Sequence, residues 1–411
     1  MPTASEKALD DLLVSQEFME DPYPLLRQLR EEDPVHWSDS IGGWILTRYD
    51  DMVVTFKDTG HYSNEGRLAK AVAYLPPETR AEFKTFEDHY RQRSLIHSDP
   101  PDHTRLRSLV TKAFNARVVE GMRPRMQEVV NQVFDAALQP GQMDVIKDLA
   151  IPLPVTVLAE ILGVPKADVH LFKDWADGLL AFQGVNKPPV PVLRRSQESI
   201  LGLRTYLGAL LKQKKAHPGE DLLSELAAAE AEGERLSETE LLNTCITLLV
   251  AGHETTTSLI GNGIWALLRH PDQWQLLKND PTLVTSAIEE ILRFESPVAR
   301  QPRLMKVEAE MGGKQLRQGE MVFQMLNAAN RDPAYFTDPD LFDIRRQKNR
   351  HIAFGLGPHF CVGALLARTE GQVVFSTLIT RLPNIRLVNE KPDWDVHKPN
   401  SRMLKSLPVL V

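Results

Sequence analysis

The chain has 411 residues, of which 42% are hydrophobic and 25% are charged, so it can bury a large core and has the composition of a globular protein. Its formal net charge of -7 argues against general nucleic-acid binding. Residues 1–11 carry neither a basic flank nor an apolar run, so we expect no signal peptide and no membrane anchor. The two cysteines, Cys245 and Cys361, lie in separate predicted elements. A disulfide is therefore not expected, and a reducing cytoplasm fits.

Short β-rich segments and long helices alternate along the chain. Residues 35–37 and 44–47 are typical of strands, and so are parts of 304–323, where glycines mark the turns. Apolar residues recur every three or four positions from 118 to about 292, which predicts helices. A Gly- and Pro-rich cluster at 184–191 interrupts them. It predicts either a plain connector or part of a lid over a buried substrate site.

Two cationic side chains follow a Pro-Pro turn near residue 100. His103 and Arg107 are four positions apart at the start of a predicted helix and so share one of its faces. Such a pair favours an anion, although two solvated surface charges would leave the same pattern.

A capping box at 237–240 begins a helix that we predict to continue to Leu268 and to stop before Pro271. Its middle, residues 251–257, contains a glycine and three threonines, which disfavour a helix interior. This local conflict predicts a functional site with a kink or an opened hydrogen bond.

Glu254 lies within that segment. On its own it could face solvent, but the apolar residues just before it favour burial, where an acid needs partners or water. His253 and Glu254 also begin like a zinc-protease motif, but its second histidine would fall at Thr257, which excludes a zinc site of that type.

Two later segments complete the pattern. Glu290 and Arg293 share a helix face at a spacing typical of a surface ion pair. Cys361 lies in a glycine-containing turn just before a predicted helix, whose amino-terminal amides would stabilise a thiolate. A lone cysteine is more often a small buried apolar residue, so the surrounding positions decide the interpretation.

Those positions, Phe354-x-x-Gly357-x-His359-x-Cys361-x-Gly363, resemble the haem-binding signature of the cytochrome P450 family. Residues 251–255 match its Ala/Gly-Gly-x-Asp/Glu-Thr motif. The resemblance implies a mainly α protein with small β-sheets, a long central helix over the haem and β-rich amino- and carboxyl-terminal pieces. We expect one cytochrome P450 domain over 1–411. The implied activity is that of a bacterial-type, soluble haem-thiolate monooxygenase.

The resemblance also implies residue roles. Cys361 would be the axial ligand of haem b iron, and Phe354 and Gly363 would contact the haem. On the long helix Ala251 would line the haem, Gly252 would make room for dioxygen, Thr255 would hydrogen-bond to the oxygen, and Glu254 would relay protons. The propionates would be held by four residues: His103, Arg107, Arg303 and His359. Arg300 is the alternative to Arg303. Glu290, Arg293 and Arg346, chosen over Arg345, would form a structural triad behind the cysteine loop.

No fused reductase is expected. Electrons would come from NAD(P)H through a separate ferredoxin or flavodoxin and its reductase, and a monomer is expected. Residues 91–125 hold eight Lys/Arg and three Asp/Glu, which favours docking of such an acidic carrier as much as a solvated basic face. The substrate is expected to be apolar, with contacts in 67–86, 179–185 and 298–301. A haem-binding sensor or carrier and a peroxide-driven enzyme are the alternative functions.

Overall fold

The structure is a computed structural model and describes residues 9–231 and 234–411. Residues 1–8, part of the stretch for which we predicted no signal peptide, lie outside the described residues. Helices dominate, as predicted. Their bounds are: α1 Gln16–Glu20, α2 Tyr23–Glu32, α3 Tyr49–Lys57, α4 Pro77–Ala81, α5 Lys84–Arg91, α6 Asp102–Ala113, α7 Ala116–Gly121, α8 Arg123–Leu138, α9 Pro152–Ile161, α10 Val169–Leu180, α11 Val190–Ala216, α12 Leu222–Ala228, α13 Glu238–Arg269, α14 Pro271–Asn279, α15 Val284–Phe294, α16 Leu326–Ala329 and α17 Ala364–Arg381.

The strands form small sheets, and most of them lie near the two ends of the chain or between α15 and α16, with short strands also in the middle of the chain. Their bounds are: β1 Val35–Ser38, β2 Gly43–Leu46, β3 Tyr62–Ser63, β4 Gln142–Asp144, β5 Glu230–Ala231, β6 Glu234–Arg235, β7 Arg300–Met305, β8 Ala309–Met311, β9 Lys314–Leu316, β10 Met321–Met325, β11 Arg386–Leu387, β12 Asp393–Trp394, β13 Leu404–Ser406 and β14 Pro408–Leu410. The largest sheet has the order β1-β2-β10-β7-β3, in which β2 and β10 pair in parallel and the other neighbours are antiparallel. A smaller sheet has the order β11-β14-β4.

Helix α13 crosses the core and packs against α9, α15 and α17. Its predicted capping box is present: the hydroxyl of Ser237 accepts from the amide of Glu240, and the Glu240 carboxylate accepts from the amide of Ser237. Apolar side chains on nearly all sides of the helix are buried, which explains why its sequence lacks a polar stripe.

The segment 251–257, where we predicted a kink or an opened hydrogen bond, is helical at every residue. The hydroxyls of Thr255, Thr257 and Ser258 donate to carbonyl oxygens one turn earlier, at 2.8, 3.0 and 2.9 Å. The threonine side chains therefore form hydrogen bonds with the helix itself, and packing on all sides outweighs the low propensity of the segment.

The cysteine loop lies between the short turn Gly357–His359 and the start of α17. Gly357 has φ of +67°, and a Cβ there would lie 2.7 Å from the carbonyl oxygen of Phe56 in α3. Only glycine fits that position. The predicted cluster 184–191 lies only partly in the connector between α10 and α11, because its last two residues already belong to α11.

None of the helices in 9–231 and 234–411 combines the length and apolarity required to cross a membrane.

Candidate active site

One cavity brings together the cysteine loop and the unusual segment of α13. Its lining includes Ala251, Gly252, Glu254 and Thr255 from the helix and Cys361 from the loop. These residues are more than a hundred positions apart in the sequence, so the fold, and not a local motif, creates the site.

The sulfur of Cys361 is held in a defined position. The Cys361 amide donates to the carbonyl oxygen of Phe354 at 2.9 Å. Burial raises the pKa of the thiol, against the opposing effects of a hydrogen bond from the Gly363 amide and of the positive charges of Arg107 and Arg368. A metal cation at the sulfur would supply the further positive charge that makes the thiolate the stable form.

Space remains beside the sulfur. A Cβ added at Gly363 would have only the Cys361 sulfur within contact range, at 3.9 Å. A side chain there would project into the room next to the sulfur, which is the room that a flat ligand of the thiolate would occupy.

Cationic and imidazole side chains surround another part of the cavity. The rings of His103 and His359 lie 3.9 Å apart, centroid to centroid, and Arg67, Arg107 and Arg303 line the cavity with His359. Burial and the surrounding positive charges lower the pKa of His103 to about 4 and that of His359 to about 2. Burial and the nearby cations thus disfavour the charged form of both imidazoles.

Several of these buried groups have no acceptor. Both ring nitrogens of His103 and Nε2 of His359 form no hydrogen bond with the described residues. Burial lowers the pKa of Arg303 to about 9, and its Nη1 donates only to the neighbouring carbonyl oxygen of Pro302. Buried donors without acceptors are costly, so the arrangement fits a ligand with carboxylates such as the propionates of haem b.

Glu254 is buried and has a partner that the sequence did not suggest. Its Oε2 lies 3.1 Å from Nζ of Lys398, which also lies 3.8 Å from Asp177 in α10. Burial disfavours the charged lysine, but the two carboxylates outweigh burial and raise the pKa of Lys398. Of the two alternatives for Glu254, the structure supports the buried, partnered one.

Thr255 and Gly252 differ in how they support their predicted roles. Thr255 is half-buried in the cavity wall, and its hydroxyl oxygen keeps acceptor capacity while donating to Ala251. A Cβ at Gly252 would lie 2.8 Å from Cδ1 of Leu158 in α9. Close packing of α13 on α9 therefore accounts for this glycine, and its role in making room for dioxygen stays a prediction.

Comparison with known proteins decides the family. The cytochrome P450 family model matches residues 192–280 and 273–408. The cytochrome P450 monooxygenase PikC of Streptomyces venezuelae is 40% identical over 416 residues, covering 99% of this chain and 95% of PikC. The chain belongs to the cytochrome P450 family. It is therefore an oxygen-incorporating oxidoreductase with a haem iron cofactor, and the predicted resemblance is confirmed.

Solved structures agree. P450BioI, solved with a hexadec-9Z-enoic acid ligated acyl carrier protein, superposes with a TM-score of 0.87 at 34% identity, covering 97% of this chain and 100% of that one. The myxobacterial cytochrome P450 CYP267B1, solved with myristic acid, superposes with a TM-score of 0.86 at 38% identity, covering 97% and 98%. The predicted cytochrome P450 fold is thereby confirmed.

Behind the cysteine loop of this cytochrome P450, the three residues of the predicted triad are in contact. Arg293 and Glu290 are fully buried and form two hydrogen bonds of 2.8 Å. Nε of Arg346 lies 3.1 Å from the same carboxylate, so Arg346 and not Arg345 is the third member. Arg293 also donates to the carbonyl oxygens of Asn330 and Pro339, at 3.0 and 2.7 Å.

Sequence reasoning missed the neighbouring acid, Glu289. Its carboxylate accepts from Nε of Arg368 at 2.7 Å and contacts Nε2 of His351 at 3.0 Å. Burial acts in the opposite direction, but these hydrogen bonds and charges lower the pKa of Glu289 to about 2. Arg368 also lies 4.5 Å from the ring centroid of Phe354, so Glu289 links α15 to the cysteine loop.

Glu370 in α17 was also missed. Its side chain is fully buried, and neither carboxylate oxygen forms a hydrogen bond with the described residues. Burial raises the pKa of Glu370 to about 8. Arg368, Thr369 and Gln372 lie next to Glu370 in the sequence, so no local pattern identifies this acid as a buried one.

The three regions predicted to contact the substrate supply different numbers of residues to the cavity lining. From 67–86 only Arg67 lines the cavity, whereas Leu180 and Gln183 represent 179–185, and Val298, Arg300 and Gln301 represent 298–301.

The positive charge of the basic run 91–125 is partly neutralised by acids that lie outside the run. Arg105 pairs with Glu240, and Arg125 pairs with Glu128 and Glu160.

Proposed function

We propose that this cytochrome P450 inserts one atom of dioxygen into a C–H or C=C bond of an apolar substrate and reduces the other atom to water. The observation that carries the proposal is the shared cavity of Cys361, Thr255 and Glu254. A protein that only binds haem has no use for an acid and a hydroxyl placed together beside the metal ligand.

Each residue has a distinct task in this proposal. Cys361 holds haem b, which supplies oxygen-activating iron when bound, and a thiolate ligand favours O–O cleavage. His103, Arg107, Arg303 and His359 bind the propionates. Thr255 offers its hydroxyl to the oxygen that is being reduced, and the carboxylate of Glu254 passes protons towards Thr255. Lys398 holds Glu254 near the cavity wall by its ion pair.

The substrate side of the cavity is apolar. Leu180, Leu248 and Val298 line it, and such a surface binds hydrocarbon by excluding water. The structures of P450BioI and CYP267B1 hold a hexadec-9Z-enoic acyl group and myristic acid, which supports a chain-like apolar substrate here.

Electrons come from a separate ferredoxin or flavodoxin, whose reductase takes them from NAD(P)H, and residues 1–411 act as a single cytochrome P450 domain. The positive side chains of 91–125 support docking of an acidic carrier, although several of them already pair with acids.

Turnover distinguishes this function from its alternatives. The purified holoprotein is supplied with myristic acid and dioxygen together with reduced ferredoxin, or with peroxide alone, and the products are separated by mass spectrometry. In the first arm we expect a product that is heavier by the mass of one oxygen atom, and heavier by a further two mass units when ¹⁸O₂ replaces ordinary dioxygen. Product in the peroxide arm alone would favour a peroxide-driven enzyme. No product from a panel of apolar substrates in either arm would favour a sensor or carrier.

A further inference from the structure

A buried arginine at the start of β7 has no ionic partner. Arg300 is 4% exposed and lines the cavity. Its Nε donates to Oδ1 of Asn400 at 3.0 Å, and its Nη2 donates to the carbonyl oxygen of Gly184 at 2.8 Å. The guanidinium carbon lies 5.2 Å from the ring centroid of Phe323. All these partners are electrically neutral, so the charge of Arg300 is buried without a counter-charge.

The neutral partners hold the guanidinium in a fixed place. Gly184 has φ of +81°, and a Cβ there would lie 2.5 Å from Oδ1 of Asn400. Glycine at 184 is therefore needed for Asn400 to reach Arg300. The third nitrogen, Nη1, makes no hydrogen bond with the described residues, which leaves it for a ligand in the cavity.

Arg300 is separate from the group that fits the propionates. Besides burial, the charges of Arg67 and Asp99 act on the pKa of Arg303. The pKa of His359 is likewise affected by burial and by the charges of His103, Arg303, Arg67 and Arg107. Burial alone lowers the pKa of Arg300, to about 10, with no contribution from another charge. Its contacts, Gly184 and Asn400, lie beside Gln183 and Ser401 of the cavity wall.

The charges of the cavity are not balanced by haem alone. Among the described residues that line it, four are arginines, namely Arg67, Arg107, Arg300 and Arg303, and one is a carboxylate, Glu254, which Lys398 already neutralises. Haem b carries two propionates, and the charge of a thiolate is offset by the iron that it binds. A positive surplus therefore remains, and burying it without an anion is unfavourable.

We infer that Arg300 binds the carboxylate of the substrate, so that the preferred substrate is an apolar carboxylic acid. This inference rests on the proposed function and adds the substrate class and a residue that determines specificity. The apolar lining takes the hydrocarbon part, and the guanidinium forms charge-assisted hydrogen bonds with the acid group through Nη1. An alcohol or ester of the same chain leaves the guanidinium as unbalanced as before.

The test compares matched ligands on the holoprotein. Myristic acid, tetradecan-1-ol and methyl myristate are each titrated at neutral pH, and the spectral shift of the haem gives each Kd. We expect the wild type to bind the acid about 10- to 100-fold more tightly than the two neutral compounds. Equal affinities would overturn the inference without any variant.

Arg300→Gln and Arg300→Lys then test the residue. Arg300→Gln should weaken acid binding about 10- to 100-fold and change alcohol binding by less than about twofold, whereas Arg300→Lys should retain part of the preference because it keeps the charge. Haem content and the spectrum of the reduced carbon monoxide complex check that each variant is intact.

The outcomes separate the two proposals. If Arg300→Gln loses haem, or weakens acid and alcohol equally, Arg300 is not a substrate anchor and the inference fails. If neutral apolar compounds are oxygenated without any preference for acids, the proposed function stands and only the inference fails. Acid-selective binding without any oxygenated product leaves the inference standing and overturns the proposed function.

Discussion

At the scale of single residues, Thr255 is placed to control the fate of electrons. Its side chain lines the cavity with Cys361, and its hydroxyl is hydrogen-bonded to Ala251 at 2.8 Å, which fixes where its oxygen lies. A hydroxyl at this place can both accept and donate a hydrogen bond.

Thr255→Ala should therefore bind haem normally but waste reducing equivalents. A lost hydrogen bond worth about 1.5 kcal/mol predicts about a tenfold fall in product formed per NADPH consumed. Thr255→Ser, which keeps the hydroxyl, is the matched control and should stay near the wild-type ratio. Peroxide release and NADPH use are measured together with product. An unchanged ratio in Thr255→Ala would remove Thr255 from the mechanism.

Residue roles were predictable only where a motif fixed them. The glycines, His359 and Cys361 form a short signature, so the sequence suggested their proximity to the cofactor. Lys398 is 144 positions from Glu254, and no local pattern links the two. The predicted burial of Glu254 was correct, but its partner became visible only in the structure.

At the scale of elements, the Glu290–Arg293–Arg346 triad joins α15 to the segment that precedes the cysteine loop. Arg293 and Glu290 are fully buried, and Glu290 also accepts from the amide of Asp343 at 2.9 Å and from Asn349 at 3.1 Å. If one cationic partner is removed, the buried negative charge of Glu290 is no longer fully compensated, and this is strongly destabilising.

Arg293→Ala should lower the free energy of unfolding by about 3–5 kcal/mol and should reduce haem content at the same time. The surface pair Arg27–Asp340, whose side chains are 52% and 43% exposed, provides the control. Arg27→Ala should cost less than about 1 kcal/mol. Urea unfolding of the holoproteins measures both. Similar losses in the two variants would contradict a structural role that depends on burial.

The ion pair of Glu289 with Arg368 predicts a pH dependence. The pKa of Glu289 is lowered from 4.5 to about 2, so the folded state favours the charged form. Its contribution, up to about 3 kcal/mol, is complete above the unfolded pKa and is lost as pH falls towards 2. The difference in unfolding free energy between wild type and Glu289→Gln should therefore shrink between about pH 5 and pH 3. A difference that does not vary with pH in this range would contradict the assignment.

Most of the helices could be predicted from the periodicity of apolar residues. The capping box and Pro271 marked both ends of α13, because the ends of a helix depend on local chemistry. The helix is continuous through 251–257, since packing around α13 outweighs the low propensity of its threonines, and the kink or opened hydrogen bond predicted there stays a prediction.

At the scale of the whole molecule, the sequence predicted the fold class through family motifs, whereas the arrangement of strands needed coordinates. The parallel pairing of β2 with β10 joins residues that are almost three hundred positions apart. The positive charge of the cavity could not be predicted from the sequence for the same reason. Arg67, Arg107, Arg300 and Arg303 are scattered along the chain and meet only in the fold.

Partner docking is a property of the whole surface. Lys112 and Arg117 are exposed within the basic run 91–125. If that face receives an acidic carrier, Arg117→Glu should raise the KM for ferredoxin roughly tenfold at low salt and should weaken the salt dependence of the rate. Lys391→Glu, an exposed position outside the run, should behave as wild type. Equal effects of both reversals would argue against docking at this face.

Haem ligation by Cys361 is the central claim, because the oxygenation chemistry and the placement of Thr255 and Glu254 depend on it. The most direct measurement is the absorption spectrum of the reduced carbon monoxide complex of wild type and Cys361→Ala. We predict the red-shifted Soret band of thiolate ligation in the wild type and its complete loss in Cys361→Ala. A band that persists in the variant would contradict the account.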